Sequence, residues 1–257
     1  MDAEIFRAWI VAAAEAIQAN RDHLTQLDAA IGDADHGINL SRGFAAVLGA
    51  LDSAAPQSPG AILTVTGNTL IAKVGGASGP LYGTAFRRAG QAIGDAAEVD
   101  LPALAAALEA ALAGVQQLGA AREGDKTMVD ALAVATRAFR AAIADGASQN
   151  DALATLAAAA RAGATATVPM HALKGRASYL GPRSVGHEDP GAVSTALILD
   201  ALATASAESR QLNALFRTAG GFRVWHVTDV ARFRHNGCCV RQSPSSGIIQ
   251  ACPELLL

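Results

Sequence analysis

Apolar residues recur along most of the chain at spacings of three and four, which is the pattern of amphipathic helices. In the first such segment, Trp9, Ala13 and Ile17 share one face. Strand-like alternation is scarce, because the short run ILTVT at 62–66 lies inside a longer helical pattern. The pattern predicts eight helices, at residues 3–20, 38–51, 60–72, 81–95, 101–118, 127–144, 150–165 and 191–207.

Composition supports an all-helical fold and narrows the range of partners. The chain has 257 residues, enough to bury a sizeable core, and 61 of them are Ala, while aromatic residues make up only 4%. Alanine favours closely packed helices, whereas the β-branched and aromatic residues that favour strands are few. We therefore expect an all-α fold. The net charge of −3 gives no reason to expect a nucleic acid as partner.

The sequence shows no clear targeting or membrane signal. The two most apolar stretches are interrupted by Glu109 and Asp200, so we expect no membrane-spanning helix. The N-terminal MDAEIFRAW is acidic and lacks the basic segment of a secretory signal. Three Cys are too few for a disulfide framework. These features predict a cytoplasmic protein.

Composition changes abruptly near residue 208. Residues 209–257 contain all three Cys and six Arg but only two acidic residues, whereas residues 1–208 carry a net charge of −7. We expect a functional domain at 1–208 and an atypical C-terminal tail at 209–257. We interpret the tail as a non-functional or poorly ordered extension, such as a frameshift or read-through product. The alternative is a docking arm for a partner, anchored by Phe216, Phe222, Trp225 and Phe233.

Four joints between predicted helices are rich in Gly, Asp, Ser, Lys and Arg, and they are the candidate location of the chemistry. The chain has three Lys, and each lies in one of these joints. The joints read IGDADHGIN (31–39), KVGGASGP (73–80), REGDKTM (122–128) and KGRASYLGPRSVGHEDPGA (174–192).

Three aspartates surround the first joint. Asp28, Asp33 and Asp35 can converge if the joint is a turn, which Gly32 and Gly37 permit. Three carboxylates at one turn repel each other unless a cation neutralises them, and hard oxygen ligands suit Mg²⁺ or Ca²⁺. The alternative is an Asx-turn that caps the following helix.

The other joints offer groups that bind phosphate. GGASGP, which includes Ser78, precedes a helix, and small residues there let a phosphate approach backbone N–H groups. It matches neither a P-loop nor a dinucleotide-binding fingerprint, and a flexible loop is the alternative. In the longest joint Lys174, Arg176 and Arg183 can bind anions. The joints together indicate a Mg²⁺–phosphate site without an evident nucleophile or base, which phosphoryl transfer does not require.

Four segments of the chain resemble, in order and spacing, the L subunit of dihydroxyacetone kinases, and the resemblance extends over residues 1–207. The segments are LDAAIGDADHGIN, VGGASGPLYGTAF, GDKTMVDAL and KGRASYLGPRSVGHEDPGA. The resemblance implies an eight-helix antiparallel barrel that binds ADP or ATP and two Mg²⁺ ions at one end. It implies that Asp28, Asp33 and Asp35 are the metal ligands. It also implies that His36, Ile38 and Asn39 lie along the nucleotide and that Ala77 and Ser78 contact phosphate or ribose. Gly119, Thr127 and Met128 would border the adenine. Arg176 would have the catalytic role at the phosphates, and Asp189 and Gly191 would close the site.

In that family a separate K subunit holds dihydroxyacetone, and the L subunit delivers the γ-phosphoryl group. The nucleotide is either ATP that exchanges, or bound ADP that a phosphohistidine protein of the phosphotransferase system recharges. The length of the stand-alone L domain favours the second. A homodimer is a further assembly left open. The alternatives are a nucleotide-binding sensor or regulator, and a kinase subunit for another small ketose or sugar alcohol. The intact Asp triplet and KGRASY favour a kinase.

Overall fold

A computed structural model describes residues 1–218 and two short strands further along the chain, with side chains described as far as Gln211. Within these residues a 3₁₀ helix, Arg176–Ser184, precedes the last of nine α-helices. The α-helices are α1 (Ala3–Ala19), α2 (Arg21–Ile31), α3 (His36–Ala54), α4 (Pro59–Lys73), α5 (Ser78–Ile93), α6 (Leu101–Gly119), α7 (Met128–Ala144), α8 (Gln149–Ala166) and α9 (Pro190–Thr218).

The chain divides into two compact units, Met1–Gln211 and Leu212–Leu257. In the second unit, strands β1 (Cys239–Gln242) and β2 (Ile249–Cys252) pair antiparallel. Both interpretations of the tail remain predictions, because the proposed anchors lie outside the residues whose side chains are described.

Eight of the helices in the first unit form a closed antiparallel ring. Packing runs from α1 to α3 and then through successive neighbours to α8. Arg161 of α8 pairs with Asp200 of α9, and the indole of Trp9 in α1 donates to the carbonyl of Ile198 in α9 at 2.8 Å, which closes the ring. Short connections between most packed neighbours make them antiparallel.

The predicted all-α fold is confirmed, and the eight predicted segments correspond to the eight helices of the ring. The prediction omitted α2, which is an additional helix packed against α3 and the 3₁₀ helix. Its buried residues are only Leu24, Asp28 and Ile31, so it carries too narrow an apolar stripe to be recognised as amphipathic.

Small residues let the helices of the ring approach each other closely, which explains the abundance of Ala and Gly. At the α4–α5 contact, a Cβ on Gly67 would lie 2.5 Å from the carbonyl oxygen of Gly83. The few aromatic side chains fill the wider part of the core, where Phe86 packs against Trp9 and Phe44 at centroid distances of 5.8 and 6.3 Å.

Two helices, α6 and the Pro190–Gln211 part of α9, are long and apolar enough to cross a membrane by length and composition alone. Buried core helices of soluble proteins meet the same criterion, and both helices contribute to the ring. Glu109 of α6 pairs with Arg140 of α7, and Asp200 of α9 pairs with Arg161 of α8. Their apolar character is therefore weak evidence for a membrane.

Candidate functional site

The four joints meet at one end of the ring around a cavity of about 270 Å³. They meet because the ring is antiparallel: α3, α5, α7 and α9 begin at this end, and α4, α6 and α8 finish there. One wall of the cavity carries the charged and hydroxyl groups of the joints. The apolar part of the lining, called the apolar wall, includes Leu81, Val115, Ala121, Met128 and Val129.

The three predicted metal ligands converge on this cavity. Asp28, Asp33 and Asp35 each present an oxygen, and these oxygens lie within 4.8 Å of one another. Asp28 is buried, and its Oδ2 accepts hydrogen bonds from the backbone N–H groups of Asp35 at 2.9 Å and His36 at 3.1 Å. Backbone donors therefore fix the innermost carboxylate. A set of three hard oxygen donors fits Mg²⁺ better than a soft metal.

A guanidinium group also reaches the carboxylates. The Nη2 atom of Arg176, in the 3₁₀ helix, lies 3.0 Å from Oδ2 of Asp33. The side chain of Arg176 is 67% exposed, so this pair contributes little to folding stability. Arg176 therefore brings a positive charge to the edge of the carboxylate cluster.

His36, the first residue of α3, is buried and uses both ring nitrogens within the protein. Nδ1 lies 3.2 Å from Oγ of Ser78 on α5, and Nε2 lies 2.8 Å from Oγ of Ser194 on α9. Burial lowers the pKa of His36, although the charges of Asp28 and Asp35 oppose this. The imidazole thus ties together three helices that begin at the cavity.

Tyr82 on α5 extends this hydrogen-bond network toward the start of α9. Its hydroxyl donates to the carbonyl of Gly191 at 2.8 Å and lies 2.6 Å from Oγ of Ser194 and 3.0 Å from Oγ1 of Thr195. Burial raises the pKa of Tyr82, so the phenol remains protonated. The network fixes the start of α9 against α5.

The helix N-termini around the cavity differ in how they are capped. Thr127 caps α7 in a capping box with Asp130, and Asp189 accepts from the backbone N–H of Ala192 in α9 at 2.7 Å. The N-cap of α5 is Ala77, which has no side chain to cap it. Its first N–H groups and the positive end of the helix dipole are therefore available to an anion.

Asp189 and Gly191 lie where α9 meets α7. The pKa of Asp189 is raised to about 7, first because burial disfavours its charged form and further because of the charges of Asp130 and Asp28. A Cβ on Gly191 would lie 3.0 Å from Oδ2 of Asp189 and 3.5 Å from Cβ of Met128. The absence of a side chain at residue 191 keeps this corner of the cavity open.

The structure brings most of the sequence-predicted site residues to the cavity wall. The residues that line it are Asp28, Asp33, Asp35, His36, Ala77, Ser78, Gly119, Thr127, Met128, Arg176, Asp189 and Gly191. Ile38 and Asn39 do not line it. Ile38 is 51% exposed, and Oδ1 of Asn39 accepts a hydrogen bond from Arg42 at 2.9 Å. Both lie on α3 just after His36, and Asn39 lies beside the cavity, since a Cβ on the lining residue Gly75 would be 3.6 Å from its Nδ2.

The structure adds three residues that the sequence analysis did not assign to the site. Tyr82 and Ser194 support His36, and the signal for Tyr82 was its position one turn after Ser78. Lys126 lies in a joint, but its side chain is 1% exposed and donates to two backbone carbonyls. A lysine in a polar loop gives no sequence signal of burial.

Comparison with known proteins identifies a family. Residues 30–204 match the model of the DAK2 domain. The chain is 42% identical over 200 residues to the Escherichia coli PEP-dependent dihydroxyacetone kinase, ADP-binding subunit DhaL, covering 78% of this chain and 95% of that one. It is 38% identical over 194 residues to the ADP-binding subunit DhaL of the Lactococcus lactis PTS-dependent dihydroxyacetone kinase, covering 76% and 93%.

A solved structure shows the same fold. The dihydroxyacetone kinase of C. freundii in complex with AMP-PNP and Mg²⁺ superposes with a TM-score of 0.59 at 29% identity. The match covers 77% of this chain but only 33% of that larger kinase. The chain belongs to the DAK2-domain family, among the L subunits of dihydroxyacetone kinases.

Proposed function

We propose that this chain is the nucleotide-binding, phosphoryl-transfer subunit of a cytoplasmic dihydroxyacetone kinase. It carries ADP or ATP with Mg²⁺ and acts with a K subunit that holds dihydroxyacetone. The observation that carries the proposal is the cavity, which combines converging carboxylates, a helix N-terminus without a side-chain cap and an apolar wall. A Mg²⁺-bound polyphosphate fits the first two features, and a purine base fits the third.

Each wall of the cavity has a distinct part in this function. Asp28, Asp33 and Asp35 would hold the two Mg²⁺ ions, which when bound neutralise charge on the phosphates. The backbone at Ala77 and the hydroxyl of Ser78 would bind phosphate oxygens at the start of α5. The family also assigns Ile38 and Asn39 to the nucleotide, and this assignment remains a prediction.

The base would lie against the apolar wall. Met128 is buried beside Gly191, and Gly119 ends α6 at the same side of the cavity. Arg176 would move from Asp33 to the phosphates, where its planar fork matches two oxygens. Asp189 would close the site near Gly191.

The acceptor must be activated elsewhere. Among the described residues that line the cavity, His36 is the one imidazole, and Ser78 and Ser194 occupy both of its nitrogens. A free imidazole is therefore lacking as a general base on this wall. This supports a division of labour in which a partner holds and activates the sugar while this chain positions the phosphoryl donor.

The names of the relatives favour the version with a resident ADP. Two bacterial relatives that this chain covers almost completely are described as ADP-binding subunits of a PEP-dependent and a PTS-dependent kinase. We therefore propose that a phosphohistidine carrier of the phosphotransferase system recharges the bound ADP. Exchange of ATP is the alternative, and the reconstitution experiment below distinguishes the two.

The test begins with nucleotide retention. The purified protein should carry ADP or ATP with Mg²⁺, detected by chromatography after acid release. Asp33→Ala should lose this nucleotide. The control Asp52→Ala removes an exposed carboxylate that is paired with Arg7, and it should retain the nucleotide. Equal retention by both variants would refute the proposed site.

Activity is then reconstituted with the K subunit of a bacterial relative and dihydroxyacetone. One arm receives ATP, and the other receives phosphoenolpyruvate with the phosphotransferase proteins. Dihydroxyacetone phosphate in either arm supports the kinase and identifies the donor. Bound nucleotide without product in either arm would favour a sensor or regulator.

A further inference from the structure

Lys126 is a buried cation that the proposed function does not use. Its side chain is 1% exposed, and its Nζ donates hydrogen bonds to the backbone carbonyls of Thr167, at 2.7 Å, and His187. The other two lysines of the chain are more accessible, since Lys73 is exposed and Lys174 is half-buried. Burying an ammonium group is costly unless acceptors replace its water, so this arrangement calls for an explanation.

The backbone conformation of Lys126 is unfavourable as well. Its φ of 60° is in the left-handed region, which a non-glycine residue adopts at a cost of about 1 kcal/mol. That conformation turns the side chain back from the start of α7 toward the segment between α8 and α9. Strain of this kind persists where the surrounding contacts hold it in place.

The two carbonyls belong to opposite ends of one segment. Thr167 follows α8 and His187 precedes α9, so Lys126 joins both ends of residues 167–189. Two further hydrogen bonds hold the ends together: the N–H of Asp189 donates to Oγ1 of Thr167 at 2.9 Å, and the N–H of Gly186 donates to the carbonyl of Val168 at 2.8 Å. The segment is therefore a loop closed at its neck, with Lys126 at the closure.

Negative charges face this ammonium group. Burial lowers the pKa of Lys126, while the charges of Asp189 and Asp130 raise it. Asp130 is itself buried and accepts from the N–H of Thr127 at 2.7 Å, so it is fixed in the capping box of α7. The second carboxylate near Lys126 belongs to Asp189, at the start of α9. Two backbone carbonyls thus form a cage around this cation, and the two carboxylates add negative charge nearby.

We propose that Lys126 is a positioning residue, a tethered cation that closes the neck of the 167–189 loop and so holds Arg176 and Asp189 in place for the phosphates. Lys126 borders the cavity, but its ammonium group already donates to two backbone carbonyls, so it acts on the nucleotide through the loop. The inference rests on the proposed function only for its nucleotide-affinity measurement, because the cage and the closed loop exist without a ligand.

The first experiment uses the unmodified protein and does not depend on nucleotide. With only three lysines in the chain, reductive dimethylation followed by peptide mass spectrometry reports each ammonium group separately. We expect Lys73 to be methylated rapidly and Lys126 to be protected in the folded protein, and both to be methylated in denaturant. Equal rates for Lys73 and Lys126 in the folded protein would refute the cage.

The second experiment restores the cation chemically. Lys126→Ala removes the atoms equivalent to propylammonium, so we expect nucleotide affinity to fall at least about tenfold and to recover when propylammonium is added. Tetramethylammonium, which cannot donate a hydrogen bond, should not restore it. Lys126→Met should lose nucleotide affinity and should not be rescued, because the methionine side chain occupies the space that propylammonium would need.

A control variant that only lowers stability separates a positioning role of Lys126 from a purely structural one. Leu153→Ala removes a side chain that is 1% exposed in α8 and lowers stability without touching the cage. We expect Leu153→Ala to keep wild-type nucleotide affinity below its melting temperature. Wild-type affinity in Lys126→Met, or an equal loss in Leu153→Ala, would overturn the proposal. If the wild-type protein binds no nucleotide, the proposed function fails, while the methylation result still decides the cage.

Discussion

The guanidinium of Arg176 lies 3.0 Å from the carboxylate of Asp33, so a residue predicted to bind phosphate is paired with a residue predicted to bind metal. While they are paired, Oδ2 of Asp33 and Nη2 of Arg176 are engaged with each other. A divalent cation on Asp33 would displace the guanidinium, which is then free for a phosphate oxygen. Metal and phosphate binding would therefore be coupled through this pair.

Replacing Arg176 should separate the two functions. In Arg176→Gln we expect nucleotide affinity to fall about 10- to 100-fold, the value of a charge-assisted hydrogen bond. Mg²⁺ alone should bind as well as before or more tightly, because Asp33 no longer has a competing cation. Calorimetric titration measures both affinities. Arg183→Gln, in the same 3₁₀ helix but outside the cavity lining, is the control, and an equal loss in both variants would contradict the assignment.

The sequence predicted the ring helices and the position of the joints because both follow from local patterns. Apolar spacing reports the buried face of a helix, and clusters of Gly and Asp report turns. It missed α2, whose apolar stripe is narrow, and it could not show that Ile38 and Asn39 lie outside the cavity lining. That depends on where the helix begins within one or two residues.

Long-range hydrogen bonds were equally beyond the reach of sequence. His36 and Ser194 are 158 residues apart in the chain, and Lys126 and His187 are 61 apart. Neither pair has a spacing that a helix or turn would dictate. Only the closure of the ring brings their joints to the same end, so the supporting residues of the site emerge from tertiary packing.

The carboxylates of Asp28 and Asp33 should differ in their effect on folding. Asp28 accepts two backbone N–H groups that would be left without a partner in Asp28→Ala, at a cost of about 1–3 kcal/mol. Asp33→Ala removes a carboxylate from a pair that is largely exposed, so its melting temperature should change little. Both variants should lose Mg²⁺-dependent nucleotide binding. Thermal unfolding with and without Mg²⁺ and ADP tests this, and a stable Asp28→Ala that binds normally would refute it.

A pair of glycine substitutions tests the geometry of the carboxylate turn. A Cβ on Gly32 would lie 2.0 Å from Oδ1 of Asp28, so Gly32→Ala must displace the innermost ligand. We expect it to weaken Mg²⁺ and nucleotide binding strongly. Gly49→Ala, in α3, meets nothing within 4 Å and should instead stabilise the helix by about 0.5–1 kcal/mol without changing binding. Calorimetry and chemical denaturation give the two readings, and unchanged binding in Gly32→Ala would contradict the metal assignment.

The raised pKa of Asp189 makes the stability of the ligand-free protein depend on pH. Between the ordinary pKa of 3.8 and its folded value of about 7, the folded state keeps a proton that the unfolded state has lost. Stability from this group is therefore present at low pH and falls as pH rises through that range.

Asp189→Asn removes this dependence, because the amide cannot ionise but can still accept from the N–H of Ala192. We expect the variant to be more stable than the wild type at about pH 8, with the difference vanishing near about pH 4. Unfolding in EDTA across the pH range measures it. A difference independent of pH would contradict the raised pKa.

Removal of the C-terminal unit tests the predicted domain organisation. Ser209 is buried and Arg210 lies against Ser206, so a truncation should follow Gln211, the end of the first unit, rather than Glu208. If the tail is a non-functional extension, the truncated chain should keep its melting temperature, nucleotide retention and activity with a K subunit. Each of these depends on the ring and on the cavity at its end, and the residues that line the cavity all precede Gln211. Loss of K-subunit binding in a co-purification assay, with nucleotide still retained, would instead identify the tail as a docking arm.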